Sequence, residues 1–161
     1  MSDTSEKIKV ISGVNGRCGI DNADLHISRR WPGRGSVVTF TREQIDELMF
    51  DPAFSNMVNE GMLYIEDMDV KKEIGLEPED ATIPTRILMD DKNLERFWKN
   101  MPLAQFKVEV KTLTKAQLTT LAEYAIRHGN DSTIEKAQYL GSISGYDILR
   151  GIQLEKQSQE E

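Results

Sequence analysis

One cysteine, two histidines and two tryptophans stand among 161 residues, and each shortage excludes something. Cys18 has no partner for an internal disulfide and cannot found a cysteine-rich zinc site. A single thiol fits a reducing compartment, or a particle assembled in one. His26 and His128 have no His or Cys at ligand spacing, so the sequence offers no transition-metal centre, and no nucleophile motif accompanies either of them. Aromatic residues make up 7% and hydrophobic residues 39% of the chain, against 29% charged. That balance suits a small core with a large wet surface, or a core completed by a partner. No apolar run approaches the roughly 20 residues needed to span a bilayer. The opening MSDTSEKIKV has no apolar stretch of the kind a secretory signal carries, so the expectation is a soluble, intracellular product with no membrane partner.

What the chain does have is a division of charge. Residues 7–42 carry Lys7, Lys9, Arg17, Arg29, Arg30, Arg34 and Arg42 against Asp21 and Asp24, a local balance of +5. Residues 43–161 carry 13 basic and 23 acidic side chains, a balance of −10, within a total of −7. A basic end on an acidic body is a recognition feature, toward a partner or toward other copies of the same chain.

The pattern of residues predicts an α+β fold. Segments 1–6 and 155–161 read as polar, flexible tails. KIKVIS, LHISRRW and SVVTF alternate like half-buried strands, and GVNGRCGIDNAD between the first two reads as turn. Thr41 and Gln44 form a capping box for a helix through Ile45 and Leu48, and Asp51-Pro52 starts another turn that closes at Gly61. MLYIE reads as a strand and DMDVKKE as a short helix stopped by Gly75. Residues 7–75 thus make a β-rich subdomain with a small antiparallel sheet and one or two helices. LEPEDATIPT, 76–85, with two prolines and no periodicity, reads as a linker. Residues 86–154 read as a helical subdomain. Thr85 is placed to cap RILMD, Asp90 or Asp91 to cap KNLERFWKN, and Pro102 to open LAQFKVEVKT, where FKVEV also alternates like a strand. The pairs Thr114/Gln117 and Ser132/Glu135 make two further capping boxes.

Candidate chemistry is sparse. Gly13, Gly16 and Gly19 lack the Lys-Ser/Thr ending of a phosphate loop and are followed by Ile20 and Asp21, so they serve turns. The acidic clusters Glu66, Asp67, Asp69 and Glu77, Glu79, Asp80 lack the glycine and terminal glutamate of an EF-hand loop. No catalytic residue, metal ligand or cofactor site is assigned, and the expectation is a protein that is not an enzyme. The weight falls on Arg29, Arg30, Trp31 and Arg34, with Arg17 and Arg42 in support, as a partner-binding surface. Arginine clamps carboxylates and phosphates bidentately, and tryptophan stacks on bases or fills a partner's pocket. An acidic protein face, a nucleic acid (opposed at long range by the net negative charge) and a solvated strand edge guarded by cations all fit that set.

Four stretches carry a resemblance: TFTREQIDELMFDPAF, GMLYIEDMDVKKEIGLEPE, DDKNLERFWKNMPLAQFKVEV and STIEKAQYLGSISGYDILRGI. In that order they resemble a group of small proteins of tailed bacteriophages, over about residues 7–154. The group's marks are a glycine- and arginine-containing β segment and a helix ending in an aromatic-Asp/Gln-Pro turn. It closes on an aromatic-Asp-aliphatic tripeptide after a glycine, matched here by Gly145, Tyr146, Asp147 and Ile148. FKVEVKTLTKAQL departs from the more regular helix of the group. The resemblance implies a structural or adaptor protein docking on a larger assembly, a capsid, neck or tail accessory component made in the host cytoplasm and carried in the virion. Its expected partners are other structural proteins of the particle. The alternative is a phage regulator that binds nucleic acid or a host protein through the basic segment.

Overall fold

A computed structural model describes residues 7–129 and 134–160. It shows an α+β chain, with small antiparallel sheets first and helices after them, divided into two compact units at Leu88/Met89.

The first unit is built on β1 (Lys7–Ser12), whose burial alternates as the KIKVIS pattern requires. β1 is the centre of a three-stranded antiparallel sheet, flanked by β4 (Val37–Thr41) and β5 (Leu63–Ile65), with Val10 opposite both Val38 and Ile65. A separate hairpin pairs β2 (Cys18–Asn22) with β3 (Ile27–Trp31). Between strands run α1 (Arg42–Leu48), α2 (Pro52–Asn59) and, after β5, α3 (Met68–Glu73). Thr41 caps α1 through the full capping box with Gln44, and the carboxylates of Asp51 and Asp67 cap α2 and α3. Gly61 and Gly75 take φ of 75° and 84° where α2 and α3 end, a backbone that a side chain would strain. Ile8, Val10, Phe40, Ile45, Phe54 and Ile65 centre the core.

Three expectations for this unit change. Cys18–Asn22 is a strand and not part of a turn: Ile20 supplies the buried contact, with Gly19 and Asp21 exposed on either side of it. Segment 76–85 is held within the first unit. Both oxygens of Glu77, which is only 6% exposed, accept hydrogen bonds from Thr85, one from its amide at 2.7 Å and one from its hydroxyl at 2.9 Å. Thr85 is therefore engaged by Glu77 rather than capping a helix, and RILMD is not helical.

The second unit begins with α4 (Asp91–Glu95), capped by Asp90, which runs into a π-helical turn, Arg96–Asn100. Then follow α5 (Leu103–Glu109), a 3-10 turn (Val110–Thr112), α6 (Lys115–His128), α7 (Ile134–Ser144) and α8 (Ile148–Glu160). FKVEV resolves as helix and 3-10 turn, because Phe106 and Val110, four residues apart, are the two fully buried positions. Thr114 and Gln117 form the expected capping box of α6, while Ser132 lies outside the described residues. Gly145 (φ 81°) ends α7, the Asp147 carboxylate accepts from the Arg150 amide, and Ile148 is buried, so the Gly-Tyr-Asp-Ile sequence is a helix-to-helix corner. Residues 155–160, expected as a flexible tail, continue α8; glutamate, lysine and glutamine are good helix formers. The start, 1–6, lies outside the described residues.

A lysine completes this unit's interior. Lys136 of α7 is 9% exposed, and its ammonium donates to the carbonyls of Phe97 (2.8 Å) and Trp98 (2.9 Å), 5.1 Å above the Phe106 ring. Those carbonyls belong to the end of the α4–π segment, where a helix runs out of internal donors and a cation is favoured.

Candidate functional site: an arginine-bearing hairpin

The β2–β3 hairpin carries the sequence's candidate residues, and the fold sorts them sharply. Arg29 shares a face of β3 with the buried Ile27 and Trp31 yet is itself exposed; its guanidinium lies 5.4 Å from the centre of the Phe40 ring and donates weakly to the Thr39 carbonyl at 3.4 Å. Arg17, in the loop before β2, is exposed and makes no hydrogen bond or ion pair to a described residue.

Arg30 lies across its own hairpin. Gly19 stands opposite it in register, and a Cβ there would come within 2.6 Å of the Arg30 side chain. The glycine therefore lets the arginine fold flat, donating to the Ile20 carbonyl at 3.0 Å and to Asp21 at 2.8 Å. Hydrogen bonds from Ser28 first, and then from Arg30, hold the Asp21 carboxyl below its ordinary range. Arg30 and Asp21 are 58% and 65% exposed, so this is a pair open to solvent.

The other arginines are tied more tightly. Arg34 donates to the side-chain oxygen of Asn15. Arg42, with its side chain only 14% exposed, ion-pairs with Asp46 one helical turn on and with Glu73 of α3, and these two carboxylates, Glu73 foremost, raise its pKa further. It joins α1 to α3 and is not available as a docking group.

Trp31 corrects the sequence reading outright. It is fully buried, packs against Phe40 with ring centres 6.1 Å apart, and donates its indole N–H to the Val10 carbonyl at 3.0 Å. The indole fastens the hairpin to the central strand of the three-stranded sheet. It lies on the face of β3 that carries the buried Ile27, and the neighbouring arginines misdirected the reading toward the surface.

The exposed aromatic is elsewhere. Phe50, between α1 and α2, is 89% exposed, and the next residue, Asp51, accepts a hydrogen bond from Asn22 at the end of β2 at 3.0 Å. The corner bearing Phe50 is thereby fixed to the hairpin. Its signal was available in the sequence: Phe50 falls off the Ile45, Leu48, Met49 stripe that faces the core.

A groove of about 490 Å3 runs along the hairpin between Arg17, Cys18, Arg30 and Pro32. Burial pushes the Cys18 thiol up, against a weaker hydrogen bond to Ser12, so at neutral pH the sulfur is a thiol and a poor nucleophile. His26, at φ 56° in the hairpin turn, belongs to the first unit and His128 to the second. Among the described residues no three His, Cys, Asp or Glu side chains converge as a metal site, and no helix is long and apolar enough to cross a membrane. No known family, curated protein or solved structure matches this chain.

Proposed function

We propose that this protein is a non-enzymatic docking component of a larger assembly, in the setting its sequence resemblance implies, a tailed-phage particle. The observation that supports it best is the hairpin: Arg17 and Arg29 present guanidinium groups with donors to spare, and an almost fully exposed Phe50 is fixed beside the same element. Cations flanking an aromatic anchor are the composition of an interface hot spot. The partner is an acidic protein face, since arginine recognises carboxylates bidentately and a net charge of −7 disfavours a polyanion at long range.

The test is quantitative mass spectrometry of purified particles made with the wild-type chain, the Arg17→Glu/Arg29→Glu variant, and Arg42→Ala. A fixed copy number for wild type and Arg42→Ala, with loss of the double reversal, supports the reading. Absence of the wild-type chain from particles, or full incorporation of the double reversal, overturns it. Salt-dependent binding of DNA or RNA by the purified chain, lost in the same double variant, would instead assign the hairpin to nucleic acid.

A further inference from the structure

A second feature of the first unit lies away from the arginine hairpin. The end of α2, β5, α3 and the loop closed by Glu77 and Thr85 line a pocket of about 110 Å3. Its wall includes Lys71, only 4% exposed. The Lys71 ammonium makes one hydrogen bond, to the Tyr64 hydroxyl at 3.3 Å, and sits 4.4 Å over the Tyr64 ring. Arg86 lines the same pocket, and its Nε donates to the Asn59 carbonyl at 3.3 Å while its terminal amino groups hold no bond to a described residue. Glu77 is the one carboxylate in the wall, and both of its oxygens are turned to Thr85. The wall therefore carries two cations against one anion, and that anion bonds Thr85 and makes no ion pair with either cation. A buried ammonium without an anionic partner is costly, and such groups are normally paired. Val58, Leu63, Ile65 and Leu76 give the wall an apolar side.

We infer that this pocket binds a small organic carboxylate, its head between Lys71 and Arg86 and its short apolar tail against Val58 and Leu76. A monoanion neutralises the excess charge. A dry cavity of about 150 Å3 holds benzene, so about 110 Å3 holds a ligand of roughly four to six heavy atoms. Lys71 supplies the charge, Arg86 the bidentate fork, and the Tyr64 hydroxyl orients the ammonium.

Isothermal titration of the full-length chain tests this with butyrate, its neutral isostere butanamide, and inorganic phosphate, at constant ionic strength. Saturable one-to-one binding of butyrate, at least about tenfold weaker for butanamide, is the expected result, because a charge-assisted hydrogen bond is roughly twice as strong as a neutral one. Lys71→Met and Arg86→Gln should each weaken butyrate by a similar factor, with circular dichroism confirming that both fold. No saturation by butyrate, equal binding of butanamide, or butyrate binding unchanged in both variants overturns the inference. Saturation by phosphate alone also overturns it, since the apolar wall then contributes nothing. None of these outcomes depends on the hairpin.

Discussion

Replacing Trp31 with phenylalanine separates a core tryptophan from a docking one. In the fold, Trp31 is sealed from solvent, and its indole N–H reaches the carbonyl of Val10 on the central strand. Phenylalanine removes that donor and leaves the Val10 oxygen short of a partner, at about 1–2 kcal/mol. The smaller ring also leaves a void beside Phe40 and costs roughly another 1 kcal/mol, because a packed interior relaxes only in part. The sum, about 2–3 kcal/mol, lowers the midpoint of the first unit's unfolding by about 10–20 °C for a unit of this size. A tryptophan at a docking surface would change stability by less than about 0.5 kcal/mol on the same substitution. Urea unfolding followed by circular dichroism measures the difference. Iodide quenching of the wild-type emission adds a second reading, since Trp31 and Trp98 are both buried and both should be protected. Wild-type stability in Trp31→Phe, together with loss of assembly, would refute the reasoning and return the residue to the surface.

Two further perturbations probe buried charges. Lys136→Met removes the donor to the Phe97 and Trp98 carbonyls and should destabilise the second unit by about 1–3 kcal/mol at neutral pH, measured by thermal unfolding. Burial lowers the Lys136 pKa from 10.5, so between its folded value and 10.5 the unfolded chain holds more protons, and wild-type stability rises with pH relative to the variant. A gap that narrows as pH rises toward 10.5 would contradict that sign. Glu77→Gln turns one accepting oxygen into a donor facing Thr85 and should loosen the loop by about 1–2 kcal/mol, seen as faster limited proteolysis at the exposed Glu79, Asp80, Thr82 and Ile83. Unchanged cleavage there would show that the loop is held by something other than this carboxylate.

Capping chemistry was the most legible part of the sequence. Thr41 with Gln44 and Thr114 with Gln117 each close a reciprocal capping box because the partners lie three residues apart, a local geometry that needs no tertiary knowledge. KIKVIS, SVVTF and MLYIE likewise read as strands from their apolar patterning. Non-local contacts were not legible. Nothing near Thr85 in sequence announces that Glu77 turns back to bind it, so a Pro-rich acidic stretch reads as a linker. Cys18–Asn22 is a strand by virtue of what Ile20 packs on and what lies over Gly19, and local composition points the other way. The candidate surface was half legible. Alternation separates Arg30 from Trp31 but leaves Arg29 on the same face of β3 as Trp31, so a cluster of large cationic and aromatic residues reads as one patch until burial is known.

The charge count that marks the basic segment is a sum, and a partner does not meet a sum. Two quantities matter: the field at a distance, which depends on net charge and is screened within about 8 Å at physiological salt, and the donors available on contact. Arg42 contributes to the first and not the second, because two carboxylates hold it where it is only 14% exposed. Arg30 stands between. Its bond to Asp21 is made in water by two groups more than half exposed, and exposed ion pairs of this kind add little net stability. A partner carboxylate can therefore displace Asp21 from Arg30 at small cost, whereas displacing Glu73 and Asp46 from Arg42 would uncouple α1 from α3. In the docking proposed above, contact would thus fall to Arg17, Arg29 and, by exchange, Arg30. Substituting Asp21 with asparagine should then strengthen docking by freeing Arg30, while leaving the hairpin register intact through its backbone pairs. Weaker docking in Asp21→Asn would mean that Arg30 serves the hairpin alone.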